Sequence, residues 1–160
     1  MVGWHPLDYI VVMSSGTPRS IRFDQRVSDR LATYVASHPG WSGSSAANRF
    51  VDEALRMEDH PGVIFRDGPA GRRAVLIGGP DVREVIRAVR SARGSEPDLS
   101  AAEIVSLTSA NTGVPARLVD TAIRYWAAFP EEVDTWIDEV EAFEEQQLQA
   151  WERRQDLLAR

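Results

Sequence analysis

Residues 19–27 read Arg-Ser-Ile-Arg-Phe-Asp-Gln-Arg-Val (RSIRFDQRV), and this stretch decides the fold that the sequence predicts. It alternates like a strand, with Ile21 and Phe23 on one side and Ser20 and Arg22 on the other. No second strand lies nearby in the sequence, because loop or helix patterns follow on both sides. A lone strand leaves its backbone N–H and C=O groups unpaired, which costs free energy. The predicted strand therefore requires a partner.

Two helical patterns follow this strand. Asp24 is a good N-cap, and apolar residues with helical spacing predict a first helix that ends near Ser37, before the helix-breaking Pro39-Gly40. A serine-rich turn at residues 42–45 leads to a second helix that ends near Met57. A strand–helix–helix unit of about 40 residues is too small to bury a core alone. Two chains whose strands pair antiparallel about a two-fold axis solve this problem, so a homodimer is predicted.

Residues 19–57 resemble the ribbon-helix-helix family (CopG/Arc/MetJ type) of DNA-binding repressors and antitoxins. The resemblance lies in Ile21-x-Phe23, the Gly/Ser-rich turn and the run Asn48-Arg-Phe-Val-Asp-Glu-Ala-Leu55. It implies an intertwined dimer in which the partner strand is the same strand of a second subunit. The dimer core that it implies consists of Ile21, Phe23, Val27, Leu31, Phe50 and Val51.

The same resemblance implies which residues face DNA. A two-stranded ribbon fits the major groove, which is roughly 12 Å wide, so Ser20 and Arg22 are expected to contact base edges. A bidentate pair from Arg22 to guanine is worth about 1–3 kcal/mol of discrimination. Phosphate contacts are expected from Arg19, Ser44, Ser45, Ala46, Asn48 and Arg49. The simpler alternative is that Ser44 or Ser45 only caps a helix and that Arg22 is a solvated surface charge.

A β-hairpin is predicted next, with strands 63–66 and 73–77 around a glycine-rich loop. A helix capped by Asp81 follows, then a linker at 94–97 and two helices, 101–109 and 115–128. Residues 60–130 resemble, more loosely, the hairpin-plus-helical domain of VapB-like antitoxins.

The two helices 101–109 and 115–128 have helix-turn-helix proportions. Core packing or protein contact is favoured over a second DNA-reading element, because 115–128 contains only two basic residues, Arg117 and Arg124. The row Arg83, Arg87 and Arg90 is interpreted as a solvated face, with a phosphate track as the alternative.

An acidic amphipathic helix is predicted from about residue 131 to residue 160. Its apolar side chains are candidates for contact with a partner, and a PIN-like nuclease toxin is the expected one, since acids would cover a basic nuclease surface. Intramolecular packing or coiled-coil dimerisation is an equally open interpretation. The partner-binding candidates are Trp136, Val140, Phe143 and Trp151.

Composition excludes several classes of function. The absence of Cys excludes disulfides and Cys-ligated zinc, and the three His form no metal-spaced pair, so no catalytic site, metal or cofactor is predicted. No apolar run approaches the roughly 18 residues that span a membrane, and no signal peptide is visible, which predicts a cytoplasmic protein. The net charge of −6 is concentrated in residues 101–160, which carry 5 Arg against 12 acidic residues. The acidity therefore does not exclude nucleic acid at the N-terminal end.

The sequence thus predicts a mainly α protein with little β structure. Its expected function is sequence-specific binding of operator DNA as a homodimeric repressor, and specifically as the antitoxin of a type II toxin–antitoxin pair that represses its own operon. The alternative is a dimeric protein–protein adaptor whose acidic helix binds a partner without specific DNA binding. The expected segments are a flexible or extension segment (1–18), the ribbon-helix-helix domain (19–57), the hairpin and helical domain (60–130) and the acidic helix (131–160).

Overall fold

The computed structural model describes residues 21–68 and 71–159 of the 160-residue chain. Helices dominate these residues, with one small antiparallel hairpin, which confirms the predicted mainly α class. The elements are α1 (Gln25–Ser37), α2 (Gly43–Asp59), β1 (Val63–Gly68), β2 (Gly71–Leu76), α3 (Val82–Ser95), α4 (Ala101–Thr112), α5 (Ala116–Ala128) and α6 (Pro130–Leu158).

The chain divides into two compact units, Met1–Ala46 and Ala47–Arg160, so that α2 begins in the first and continues in the second. In the single chain, the part of α2 from Ala47 groups with the C-terminal residues rather than with α1. None of the described helices is long and apolar enough to cross a membrane.

In the first unit, local signals set the bounds of α1 as the sequence predicts. The Asp24 carboxylate accepts a hydrogen bond from the backbone N–H of Val27 at 2.9 Å. At the other end, the backbone N–H of His38 bonds back to the carbonyl of Val35, and Gly40 adopts a φ of +93° as the chain turns. The helix therefore has well-defined ends although none of its residues is buried.

The predicted ribbon strand is only partly within the described residues. Residues 1–20, including the segment 1–18 and the side chains of Arg19 and Ser20, lie outside them. Residues 21–24 belong to no helix or strand in the single chain. Because this strand requires a second chain, its pairing stays a prediction.

The second unit begins with the remainder of α2 and the hairpin. Pairing runs from Val63 opposite Leu76 to Gly68 opposite Gly71. The glycine-rich loop was therefore predicted too long, since β1 continues through Gly68. The extra pairs are held across the strands by an ion pair of 3.0 Å between Asp67 and Arg72, which lie opposite each other.

The ends of α3 and α4 lie later in the chain than predicted. Helix α3 continues through Gly94 to Ser95, where a linker was expected. A glycine inside a helix costs only about 1 kcal/mol, which packing of α3 against α4 and α5 outweighs. Helix α4 continues to Thr112 and ends at Gly113, whose φ of +73° lets its N–H reach the carbonyl of Ser109.

The core of the second unit lies between the hairpin and one face each of α3, α5 and α6. Tyr125 is its largest fully buried side chain. Helix α6 contributes only Val133 and Ile137 as buried residues, and from residue 141 onward every described residue is exposed. The remaining core members are Val63, Ala74, Leu76, Val82, Val85, Ile86, Val114, Leu118, Val119 and Ala122.

Candidate nucleic-acid interface

The apolar residues of the first unit form an uncovered face in the single chain. Ile21 is 69% exposed, Val27 is 41% exposed and Phe23 is 36% exposed. Beside them, an open groove of about 460 Å³ is lined mainly by apolar side chains. The groove residues are Phe23, Ser28, Leu31, Ala32, Val35, Ala36 and Gly43. Three of the residues predicted for the dimer core (Ile21, Phe23 and Val27) are thus exposed, and Leu31 lines this open groove.

Helix α2 also exposes apolar side chains on one side. Val51 and Leu55 are one helical turn apart, and they are 47% and 59% exposed. Phe50, the other α2 residue predicted for the dimer core, is half-buried. The α2 face that the sequence predicted to be apolar is therefore only partly covered.

The start of α2 is capped by a reciprocal pair of serines. The Ser42 hydroxyl accepts a hydrogen bond from the backbone N–H of Ser45 at 3.0 Å, and the Ser45 hydroxyl accepts one from the N–H of Ser42 at 2.9 Å. The N–H of Ala46 donates to the carbonyl of Ser42, and Ala46 is fully buried. The capping role expected of Ser44 or Ser45 is filled by Ser42 together with Ser45, and the sequence prediction had not included Ser42.

This cap changes which groups are left for a phosphate. The predicted contacts through the N–H groups of Ser45 and Ala46 are not supported, because both groups already have acceptors and Ala46 is buried. The N–H groups at the start of a helix have no intrahelical acceptor, and those of Gly43 and Ser44 are not used by the serine cap. Of Ser44, Ser45 and Ala46, only Ser44 keeps an N–H group that this cap does not use, and its contact with phosphate stays a prediction.

Of the other predicted DNA contacts, Arg22 and Asn48 are exposed. The guanidinium of Arg49 forms an ion pair with Glu53 one turn along α2, at 2.9 Å. Arg49 is thus oriented by an acid of its own helix, a pairing that the i,i+4 spacing makes visible in the sequence.

Glu53 is the centre of a buried ion cluster that sequence reasoning missed. Its side chain is 8% exposed, and Arg72 of β2 donates hydrogen bonds to both carboxylate oxygens at 2.7–2.9 Å. These hydrogen bonds raise the pKa of the Arg72 guanidinium. The bidentate pair fixes α2 to the hairpin, and no local pattern predicts a contact between residues 19 positions apart.

A second cluster fixes the last turn of α2. The Arg56 guanidinium donates to the Tyr125 hydroxyl at 3.1 Å and to Glu132 at 2.7 Å, and it lies over the Phe129 ring. The Tyr125 hydroxyl in turn donates to Glu132 at 3.0 Å. Burial raises the pKa of the Tyr125 phenol above its ordinary value of 10.0, and the negative charge of Glu132 adds to the rise. These two clusters explain why most of α2 groups with the second unit.

The arginine row of α3 contacts α6. Arg87 pairs with Glu144, Arg90 pairs with Asp134 at 2.6 Å, and Arg83 lies over the Trp136 ring at 4.1 Å. Arg87 and Arg90 are partly exposed, as expected for a solvated face, but their guanidinium groups also pair with acids of α6. Arg83 instead packs on the Trp136 ring.

The helix-turn-helix-like pair packs as a structural element. Helix α5 buries Leu118, Val119, Thr121, Ala122 and Tyr125, which confirms the favoured packing interpretation. Of its two arginines, Arg124 forms an ion pair with Asp120 at 3.3 Å on the exposed side.

The predicted partner-binding residues of α6 divide into two groups. Trp136 packs against the core of the second unit, and Val140 is half-buried. Phe143 and Trp151 are 60% and 57% exposed. Only the second group is available to a partner.

Comparison of the chain with protein-family models, with curated proteins and with solved structures gives no match. The likeness to ribbon-helix-helix proteins therefore stays a prediction. Among residues 21–68 and 71–159, no cluster of His, Asp and Glu side chains has a geometry that could hold a metal ion.

Proposed function

We propose that the chain is a dimeric, cytoplasmic DNA-binding repressor of the ribbon-helix-helix type. The observation that carries the proposal is the first unit, where α1 is 13 residues long and buries none of its residues. An isolated helix of fewer than about 15 residues is marginal in water, and most helices in proteins are stabilised by packing of an apolar face. A second copy that covers Phe23, Val27 and the adjoining groove supplies this packing.

The dimer also gives the backbone of residues 19–23 its hydrogen-bond partner. In an antiparallel ribbon, Ile21 and Phe23 enter the shared core while Ser20 and Arg22 face outward, toward base edges. The two-fold axis repeats the N–H donors of Gly43 and Ser44 on both sides of the ribbon, where they hold two phosphates. The operator is accordingly an inverted repeat.

The charge distribution is compatible with this assignment. Residues 1–57 carry 6 Arg against 5 acidic residues, so DNA-facing surfaces of the first unit are not repelled by phosphate. The acidic excess lies in residues 101–160. The nearly neutral segment and the acidic segment thus lie in different parts of the sequence.

The exposed half of α6 supports the antitoxin role within this proposal. Phe143, Leu148 and Trp151 are each more than half exposed, and acidic residues surround them. Aromatic anchors bordered by one sign of charge fit a partner with an apolar cleft in a basic surface. A nuclease toxin has such a surface, because its own substrate is a polyanion.

Mobility-shift titrations on the DNA upstream of the coding sequence test the DNA-binding role. Each Arg22 is expected to contribute about 1–3 kcal/mol of base discrimination, so Arg22→Ala abolishes the preference for the operator over random DNA. The matched control Arg30→Ala removes an exposed charge from α1 and leaves that preference intact. An undiminished preference in Arg22→Ala contradicts the assigned ribbon face.

The competing function is that of an adaptor, in which the first unit only dimerises and the exposed half of α6 binds a partner. The salt dependence of DNA binding separates the two functions, since phosphate contacts release counterions. Absence of any salt-sensitive DNA binding favours the adaptor.

Deletion of residues 141–160 tests the partner role. It leaves the buried Val133 and Ile137 in place, so the second unit keeps its core. Loss of toxin binding with unchanged DNA binding supports the antitoxin role. Unchanged toxin binding and unchanged oligomeric state remove both the antitoxin arm and a coiled-coil role for α6.

A further inference from the structure

A pocket of about 230 Å³ lies in the second unit where β2, α3 and α6 meet. Three arginines line it, Arg72 and Arg73 from β2 and Arg83 from α3, together with Glu132 from α6. We propose that this pocket binds a small oxyanion with a phosphate group. The proposal is independent of the DNA-binding function, because neither the first unit nor the start of α2 lines this pocket.

The charge balance around the pocket leaves one arginine without an acid of its own. Arg72 is paired with Glu53 at 2.7 Å and with Asp67 at 3.0 Å. Arg73 and Arg83, by contrast, share a single carboxylate, that of Asp81, with Arg83 at 3.3 Å. Two guanidinium groups on one carboxylate make the Arg73–Arg83 side of the pocket its more positive side, where an anion would bind.

Glu132, the one acidic residue among those that line the pocket, already has hydrogen-bond donors outside it. Glu132 accepts hydrogen bonds from Arg56 at 2.7 Å and from the Tyr125 hydroxyl at 3.0 Å. Its charge is therefore balanced from the side of α2 and α5, which reduces its repulsion of an anion in the pocket.

Arg83 is held in a fixed position beside the pocket. Its Nε is buried and has no hydrogen-bond partner among the described residues. A buried donor without an acceptor is rare and destabilising. The guanidinium plane is held against the Trp136 ring at 4.1 Å, so it cannot turn freely to find another acceptor. The guanidinium of Arg83, which lines the pocket, is therefore held in one orientation there.

The arrangement favours a phosphate group over a carboxylate. A planar carboxylate matches one guanidinium fork, whereas a tetrahedral phosphate presents oxygens in several directions. Arginines from two different elements line this pocket, and together they suit the second geometry.

Calorimetric titration of the full chain with inorganic phosphate tests the site, with ionic strength held constant by sodium chloride. Wild type is expected to bind saturably and to melt at a higher temperature as phosphate rises. Arg83→Lys keeps the charge but removes Nε and the fork, and it is expected to raise Kd roughly ten-fold or more. The matched control Arg87→Gln, one turn along α3, does not line the pocket and leaves Kd within about two-fold.

Two further measurements keep the result interpretable. Far-UV circular dichroism verifies that Arg83→Lys folds. In the wild type alone, the indole N–H resonance of Trp136 shifts saturably with phosphate, whereas that of the exposed Trp151 does not. Absence of saturable binding, or equal losses in the Arg83 and Arg87 variants, overturns the proposal. Equal binding of acetate overturns the assignment to phosphate.

Discussion

The two units treat their amphipathic helices in opposite ways. Helix α3 buries Val82, Val85 and Ile86 in a core that the same chain completes, whereas α1, with a similar apolar stripe, buries none of its residues. An amphipathic pattern thus predicts that a face will be covered but not which molecule covers it. In the second unit the hairpin, α5 and α6 cover the apolar face of α3. For the first unit we propose a second copy of the chain.

The largest expected effect tests the first unit, whose apolar face is uncovered in the single chain. In the proposed dimer, Phe23→Ala removes two buried side chains, at about 1.5–3 kcal/mol each. The dimer dissociation constant should rise roughly 100-fold or more, as measured by sedimentation equilibrium. The control Ile77→Ala removes an apolar side chain of the second unit that is 57% exposed, and it should leave dimerisation unchanged. A wild-type chain that is monomeric at all concentrations contradicts the proposal that a second copy covers the apolar face of the first unit.

The next effect tests the second unit, whose core the same chain completes. Ile137 is fully buried, and Ile137→Ala is expected to lower the free energy of unfolding by about 2–5 kcal/mol, because it leaves a cavity. Leu148→Ala on the same helix, at a side chain that is 55% exposed, should change it by less than about 0.5 kcal/mol. Urea denaturation measures both. Similar losses in the two variants would show that the second half of α6 is covered as well.

A smaller effect tests how α2 is fixed to the second unit. Glu53→Gln leaves the half-buried Arg72 beside a neutral partner, which should cost about 3 kcal/mol of stability. Asp67→Asn removes the exposed partner of the same arginine and should cost less than about 0.5 kcal/mol. Chemical denaturation of the two variants gives the comparison. Equal costs would mean that the buried pair does not hold α2.

The smallest effect is a pH dependence that arises in the second unit. The folded state holds the Tyr125 proton more tightly than the unfolded state does, because burial and Glu132 raise its pKa above 10.0. This contribution to stability is complete below about pH 10 and is lost as the pH rises beyond it. Tyr125→Phe should remove that loss and cost about 1 kcal/mol at neutral pH through its missing hydrogen bonds. Thermal melts between neutral pH and pH 11 measure it, and an alkaline loss in Tyr125→Phe equal to that of wild type would contradict this role of Tyr125.

Local signals explain which elements were predictable. Asp24, Asp81 and Ser100 begin helices at the positions where their side chains can cap, and Gly113 ends one with a positive φ. The end of α3 was missed because Gly94 is a stop signal in the sequence, while packing against α4 and α5 outweighs its small cost. Start signals act within one turn of the helix, which makes them visible in the sequence.

The ion clusters could not be predicted from local signals in the sequence. Arg56 meets Tyr125 and Glu132 across 69 and 76 residues, and Arg87 meets Glu144 across 57. Each of the charged residues among them looks like an ordinary surface charge in the sequence. The Ser42–Ser45 cap was likewise not predicted, and its hydrogen bonds show which N–H groups at the start of α2 are used.

The sequence by itself therefore determined the mainly helical class, the position of the hairpin and the starts of its helices, because these depend on caps, turns and apolar spacing over a few residues. Only the tertiary structure decided that the arginines of α3 hold α6, that α2 is fixed by Glu53 and Arg56, and that α6 is covered along its first half alone. These properties depend on which distant charges and apolar faces meet, and no local pattern carries that information.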